Sequence, residues 1–251
     1  MKKPSWQTLV KVVVAFLGVV LIGWLLYRAP FVRELVVSIA GQIGAPSVPY
    51  LRKVASQDDD HKVRQNAMLA LRAIGADAVP SLTASLADAD AEVRAEAARA
   101  LCFIGQPAKE SVPSLIEVLT NDVDTTARQE AARALGMVSM KSKDAVPCLL
   151  LALKDPEAVV RVQAATALGR IGTGVDVEEI VPALVAALQD QEADVRVEGA
   201  EGLERIGPRA KAAIPALTKA LQDTDRRVRR EAQEALESIQ RTPPEPNRNK
   251  E

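Results

Sequence analysis

An acid, a second acid two residues later and an arginine four residues beyond that recur six times along this chain. The arginines are Arg64, Arg94, Arg128, Arg161, Arg196 and Arg229, spaced by 30, 34, 33, 35 and 33 residues. Six residues before them stand Asp58, Asp88, Asp122, Asp155, Asp190 and Asp223; four before them stand Asp60, Asp90, Asp124, Glu157, Glu192 and Asp225. Fourteen or fifteen residues before them come Pro49, Pro80, Pro113, Pro147, Pro182 and Pro215, each after Val or Ile. Eleven residues after them come Gly75, Gly105, Ser139, Gly172, Gly207 and Gln240. A period in this range means stacked supersecondary units, none of which buries its apolar face alone.

Each unit reads as two helices. In VPALVAALQD (181–190) the proline stands where a first helical turn tolerates it, and Leu184 and Leu188 share one face of a short helix A. In DPEAVVRVQAATALGRIG (155–172), Asp155 suits an N-cap, Pro156 the first helical position and Glu157 the positive end of the dipole. Val160, Ala164, Ala167, Leu168 and Ile171 then form one apolar stripe of helix B, and Gly172 suits the closing left-handed position. Six residues along a helix rotate by about 600°, so Arg161 projects roughly 120° from its own cap and is poorly placed to pair with it. The aspartate of a neighbouring unit is the better partner, and six equal copies argue for construction rather than catalysis.

The motifs V/I-P-x-L, the Asp before helix B and V-R-x-x-A-x-x-A-L-x-x-I-G resemble the HEAT-repeat family, in particular its bacterial HEAT-like form. The resemblance covers about residues 30–240 and implies an all-α fold, an α-solenoid of about six helical hairpins. It also implies that Asp58, Arg64, Asp88, Arg94, Asp122, Arg128, Asp155, Arg161, Asp190, Arg196, Asp223 and Arg229 form a stacking ladder. The units fall at 46–76, 77–108, 109–141, 142–175, 176–208 and 209–240. A half repeat precedes them at 30–45, where FVRELVVSIAGQIG matches helix B with Arg33 at the ladder position and Gly44 eleven residues on. The sequence departs from the pattern at Ala127, Ser139 and Gln240, and at Gly199 and Gly202, which replace core alanines. Two helical glycines cost about 0.5–1 kcal/mol each, which marks the fifth repeat as the softest joint.

VVVAFLGVVLIGWLLY (12–27) carries no charge and is flanked by Lys2, Lys3 and Lys11 before and by Arg28 and Arg33 after. As a helix it spans about 24 Å, and Leu9 and Val10 extend it towards the roughly 30 Å of a bilayer core. Residues 1–29 are therefore expected to be a single-pass membrane anchor, spanning at 9–28, with Trp6, Trp24 and Tyr27 near the interfaces. A signal peptide cleaved after Ser38-Ile39-Ala40, leaving a secreted repeat protein, is the rival; that site lies far past the apolar run. The excess of lysine before the segment leans towards an extracytoplasmic array.

Beyond residue 34 the chain holds 27 basic and 32 acidic residues, a net of about −5 and no nucleic-acid footprint. Aromatic residues make up 3%, as expected where Ala and Leu fill thin helix seams. His61 follows three aspartates at the start of a helix and reads as solvated; Cys102 and Cys148 fall in non-adjacent units and read as unpaired small thiols. Metal, phosphate and nucleophile motifs are absent from the sequence, so the expectation is a protein without enzymatic activity, metal or cofactor. Some HEAT-like relatives attach bilin to light-harvesting proteins, and an accessory subunit of that kind is the alternative function.

What remains is surface. Two residues after the ladder arginines stand Asn66, Glu96, Glu130, Gln163, Glu198 and Glu231, expected to face away from the core. Glu201 and Glu204, then Glu234 and Glu237, extend the acids along the last two helices B. Helix B lines the concave face in HEAT proteins, so the resemblance implies an acidic groove, with Glu96, Glu130, Glu198, Glu201, Glu231 and Glu234 binding a basic or helical segment of a protein partner. The competing reading is a solvated face bridged by Arg205, Arg227 and Arg230. RTPPEPNRNKE (241–251) is polar and proline-rich and is expected to be disordered.

Overall fold

The computed structural model of the protein describes residues 29–140 and 143–241. The expected anchor at 9–28 and nearly all of the proline-rich tail lie outside the described residues. Among the described residues there is no strand, and no helix is long and apolar enough to cross a membrane.

The chain divides into two compact units, at Ile74 and Gly75. The first holds α1 (Pro30–Ile43) and the hairpin of α2 (Val48–Gln57) and α3 (His61–Ile74). The second holds five hairpins: α4 (Val79–Ser85) with α5 (Ala91–Ile104), α6 (Val112–Asn121) with α7 (Thr125–Val138), α8 (Val146–Ala152) with α9 (Ala158–Gly172), α10 (Ile180–Ala187) with α11 (Ala193–Ile206), and α12 (Ile214–Ala220) with α13 (Arg226–Gln240). The period of the sequence is thus the period of a helical hairpin.

Proline opens the A helices α2, α4, α6, α8 and α12 in their first turn, where the missing N–H leaves no gap. Gly44, Gly75, Gly105 and Gly207 end their B helices at φ of 79°, 78°, 71° and 64°, a region that a Cβ disfavours. Gly172 does not share that role: α9 runs through it to a cap at Thr173, and Gly172 is not among the glycines of positive φ. A Cβ there would sit 2.9 Å from Ile206, so its glycine answers to packing instead.

The core is thin and apolar. Leu82, Leu101, Leu115, Leu135, Leu149, Leu168, Leu184, Leu203 and Leu217 are fully buried, as is the stripe Val160, Ala164, Leu168 and Ile171. B helices of successive hairpins meet closely: a Cβ on Gly136 would lie 2.8 Å from the Cα of Ala167, and one on Gly169 2.5 Å from the Cα of Gly202. Gly199 and Gly202, expected to soften the fifth repeat, also have a steric role. A Cβ on Gly199 would meet that of Ala187 at 3.2 Å, and Gly202 touches both Leu184 and Gly169, so these glycines let three helices close on one another.

The aspartate and arginine positions divide the work differently from the expected cap. Helix α9 begins two residues after Pro156, and its N-cap is Glu157, which makes no side-chain cap bond. Where the second acid is aspartate it caps: Asp90 accepts from the Glu92 amide at 2.9 Å, Asp124 from Ala127 at 2.8 Å and Asp225 from Arg227 at 2.7 Å. Glutamate is one methylene longer, and Glu192, like Glu157, leaves the helix start uncapped. The first acid instead folds into a turn: Asp58, Asp88, Asp122, Asp155, Asp190 and Asp223 each accept from the amide two residues on, at 2.8–3.0 Å.

That turn presents the carboxylate to the preceding hairpin. Arg94 grips Asp122 through Nε and Nη2 at 2.6 and 2.7 Å, Arg128 grips Asp155 at 2.9 and 3.2 Å, Arg161 grips Asp190 at 2.8 and 2.9 Å, and Arg196 grips Asp223 at 2.9 Å twice. Within the first unit Arg33 reaches Asp58 at 3.1 Å. The remaining nitrogen stays at home: Arg161 Nη1 donates to the main-chain carbonyl of Asp155 at 2.9 Å, and Arg64, Arg94, Arg128, Arg196 and Arg229 do the same six residues back. Asp155 and Arg161 are joined, but through a carbonyl rather than the carboxylate. The geometry is bidentate and nearly buried, with Arg161 and Asp190 side chains 7% and 15% exposed, which is where such pairs matter most.

Candidate interaction face

The B helices carry a second line of polar contacts, offset from the ladder. Glu130 and Glu231, expected to face solvent, are buried at 4% exposure each, whereas Glu96 and Glu198 are half-buried. For Glu130 the cause lies one hairpin upstream, whereas Glu231 meets Arg230 beside it on α13. Arg99 on α5 bonds Glu96 on its own helix and donates to Glu130 on α7 at 2.9 Å, while Arg133 sits 3.6 Å from the same carboxylate. Glu198 on α11 accepts from the Thr166 hydroxyl on α9 at 2.7 Å. These acids brace the helix seams, and only the carboxylates around them are left to meet a partner.

Along α5 and α7 the charges balance, two acids against two guanidiniums. Along α11 and α13 they do not: Glu198, Glu201, Glu204, Glu231, Glu234 and Glu237 share the face with Arg205, Arg226 and Arg230. Arg205 donates to Glu201 at 2.7 Å and stands 4.0 Å from Glu198; Arg230 bonds Glu231 and lies 3.6 Å from Glu234. Carboxylate oxygens of Glu204, Glu231 and Glu234 converge to within 4.8 Å of one another. Burial, reinforced by the neighbouring charge of Glu198, pushes the Glu201 carboxyl above the usual glutamate range. Arg227, named beforehand as a bridge on this face, is engaged elsewhere, donating to Asp194 at 2.7 Å and to Asp225 at 3.0 Å.

Of the six residues expected to bind a partner, the fold therefore gathers Glu198, Glu201, Glu231 and Glu234 and places Glu96 and Glu130 in a separate, neutralised cluster. Sequence reading missed Arg99 and Arg133, although both stand five residues after a ladder arginine. His61 opens α3 and is exposed. Cys102 and Cys148 are free and buried in α5 and α8, and burial pushes the Cys148 thiol up to about 11.

Hairpins stacked at a regular period, with a thin Leu and Ala core and a lateral ladder, define an α-solenoid. The family model for HEAT repeats matches residues 24–111, 112–180 and 181–246, and the chain belongs to the HEAT-repeat family. No curated protein matches it. Among solved structures, an engineered protein is 28% identical, covering 77% of this chain and 98% of its own, with a TM-score of 0.59. A designed armadillo repeat protein in complex with the peptide (KR)4 is 22% identical, covering 76% and 99%, at 0.57. The complex of CpcE and CpcF of phycocyanin lyase from Nostoc sp. is 23% identical, covering 84% and 90%, at 0.50. The last two likenesses bear on the fold.

Proposed function

We propose that this chain is a membrane-anchored, non-enzymatic scaffold whose α11 and α13 face takes a basic segment of a protein partner. The observation that carries the reading is the charge surplus: six carboxylates share three guanidiniums, and three of the carboxylates converge. A carboxyl already pushed up by burial and by the charge of Glu198 gains from an arriving cation, so a lysine or arginine side chain supplies what the face lacks. The designed armadillo repeat protein in complex with (KR)4, similar in fold, is a precedent for a basic peptide on this kind of fold. Anchoring rests on the uncharged stretch 12–27 and its basic flanks, and the lysine excess before it favours an extracytoplasmic array.

The test is binding of a fluorescent (Lys-Arg)4 peptide to the full chain in detergent micelles, beside Glu201→Gln, Glu204→Gln, Glu234→Gln and Glu237→Gln combined. These four leave Glu198 and Glu231 in their seams. Salt-sensitive binding by the native chain that the variant loses is the expected result. Equal binding by both sinks the site, and a covalent bilin adduct formed by the chain would replace the scaffold reading with the accessory-subunit one.

A further inference from the structure

The outward face of α1 has no counterpart among the other arginine-bearing helices. Counted from the arginine, positions two before and two, six and ten after lie along one side of each helix. Six after, the helices of the second unit carry Ala100, Ala134, Ala167, Gly202 and Ala235, all buried, because a neighbouring backbone comes close there, as Gly169 does to Gly202. In α1 the same side reads Phe31, Leu35, Ile39 and Ile43, exposed by 68%, 54%, 49% and 59%. Isoleucine at the close-approach position holds off a further repeat, so this side is not a socket for another copy of the unit. Beside it Val36, Ala40, Pro46 and Tyr50 help to line an open hollow of about 400 Å³.

We infer that this face of α1 rests on a lipid surface, with Phe31, Leu35, Ile39 and Ile43 among the acyl chains and the helix in the plane of the bilayer interface. Soluble repeat arrays close their ends with polar residues, and four large apolar side chains in a row do the reverse. The stripe runs for about 18 Å along the helix axis. It begins four residues after the uncharged stretch 12–27 ends, with Arg28 between them as a cation suited to lipid phosphate. The inference rests on the anchoring reading: a segment that spans the bilayer up to Tyr27 delivers α1 to its surface.

The experiment uses the full chain in phosphatidylcholine vesicles, with Cys102→Ala and Cys148→Ala as background. An environment-sensitive nitrobenzoxadiazole label is attached at Ile39→Cys or, as a control on an exposed residue of α13, at Gln233→Cys. The expected result is a blue-shifted label at position 39 that loses most of its emission to lipids carrying a shallow nitroxide, and an unaffected label at position 233. A label at 39 that stays in water overturns the inference. So does a blue-shifted label that the nitroxide lipids leave bright, which means that residues 12–27 or a second copy cover the face instead of lipid. Carbonate extraction separates the two readings: a chain that stays in the vesicles with an unquenched label keeps its anchor and loses this inference, whereas a chain that is released loses both.

Discussion

The first and last described helices solve the same problem in opposite chemistry. Each leaves one side exposed; on α1 that side carries Ile39 where every later arginine-bearing helix keeps Ala or Gly, whereas the large residue of α13 has a large counterpart, Glu204, on α11. On α13 the position equivalent to Gly136 and Gly169 is Glu237, joined by the exposed Arg230 and Glu234. On α1 the position equivalent to Ala167 and Gly202 is Ile39, joined by Phe31, Leu35 and Ile43. A large residue at the position of Glu237 does not by itself end a stack, since Glu204 of α11 takes the same place and α13 follows. What covers the terminus is decided separately, by polarity: α13 is finished for water and α1 is not.

The sharpest way to break this comparison is to treat an internal helix as if it were an end. Arg161→Ala leaves Asp190 nearly buried without its partner, and a loss of about 3–5 kcal/mol in denaturant unfolding is expected. Among the described residues Arg229 on the last helix holds the carbonyls of Asp223 and Thr224, at 2.6 and 3.0 Å, and no carboxylate, so Arg229→Ala should cost about 1–2 kcal/mol. Equal losses would mean that the carboxylate rungs add nothing to the carbonyl clamp. Next in size, Gly169→Val forces a branched side chain into a 2.5 Å gap and should cost about 1–3 kcal/mol, whereas Ile39→Ala on the exposed face of α1 should stay within about 0.5 kcal/mol in detergent.

Acid distinguishes the ladder from the carboxylate cluster. The Arg94 guanidinium holds the Asp122 carboxyl below the usual carboxylate range, and Arg196 does the same for Asp223. A depressed folded value means that their contribution is complete above the unfolded value of about 3.9 and is lost as pH falls through the lower folded values. Glu201 has the opposite sign. Its raised value contributes stability below the unfolded value of about 4.3, and that contribution is lost as pH rises through the folded one, so Glu201→Gln should stabilise slightly at pH 7 and have no effect at pH 3. Urea midpoints at the two pH values read both effects; a variant equally stabilised at each would show that repulsion is not the cause.

What could be read in the sequence was what repeats. Six copies of one spacing exposed the hairpins, the ladder and the thin core, and the clamp between units followed from the angle at which Arg161 leaves its helix. What depended on a single contact did not show. Glu130 and Glu231 look solvated until Arg99 and Arg230 meet them, and for Glu130 that meeting comes from the hairpin before. Gly172 looks like a terminator, but α9 runs through it to Thr173 and its missing Cβ makes room for Ile206. Caps assigned to Asp155 belong two residues further on, because its carboxylate turns to the hairpin before and cannot serve its own helix as well.

Asp122, Asp155, Asp190 and Asp223 are each a knot in the second unit. The carboxylate is tied to the arginine before and the carbonyl to the arginine after, so Arg94, Asp122, Arg128, Asp155, Arg161, Asp190, Arg196, Asp223 and Arg229 form one unbroken line of hydrogen bonds. Short charge-assisted bonds stretch little, whereas apolar seams can open and slide by small amounts. The line therefore works as an inextensible cord down one edge of the unit, and when a load flexes the hairpins they fan about that edge as pages turn about a spine.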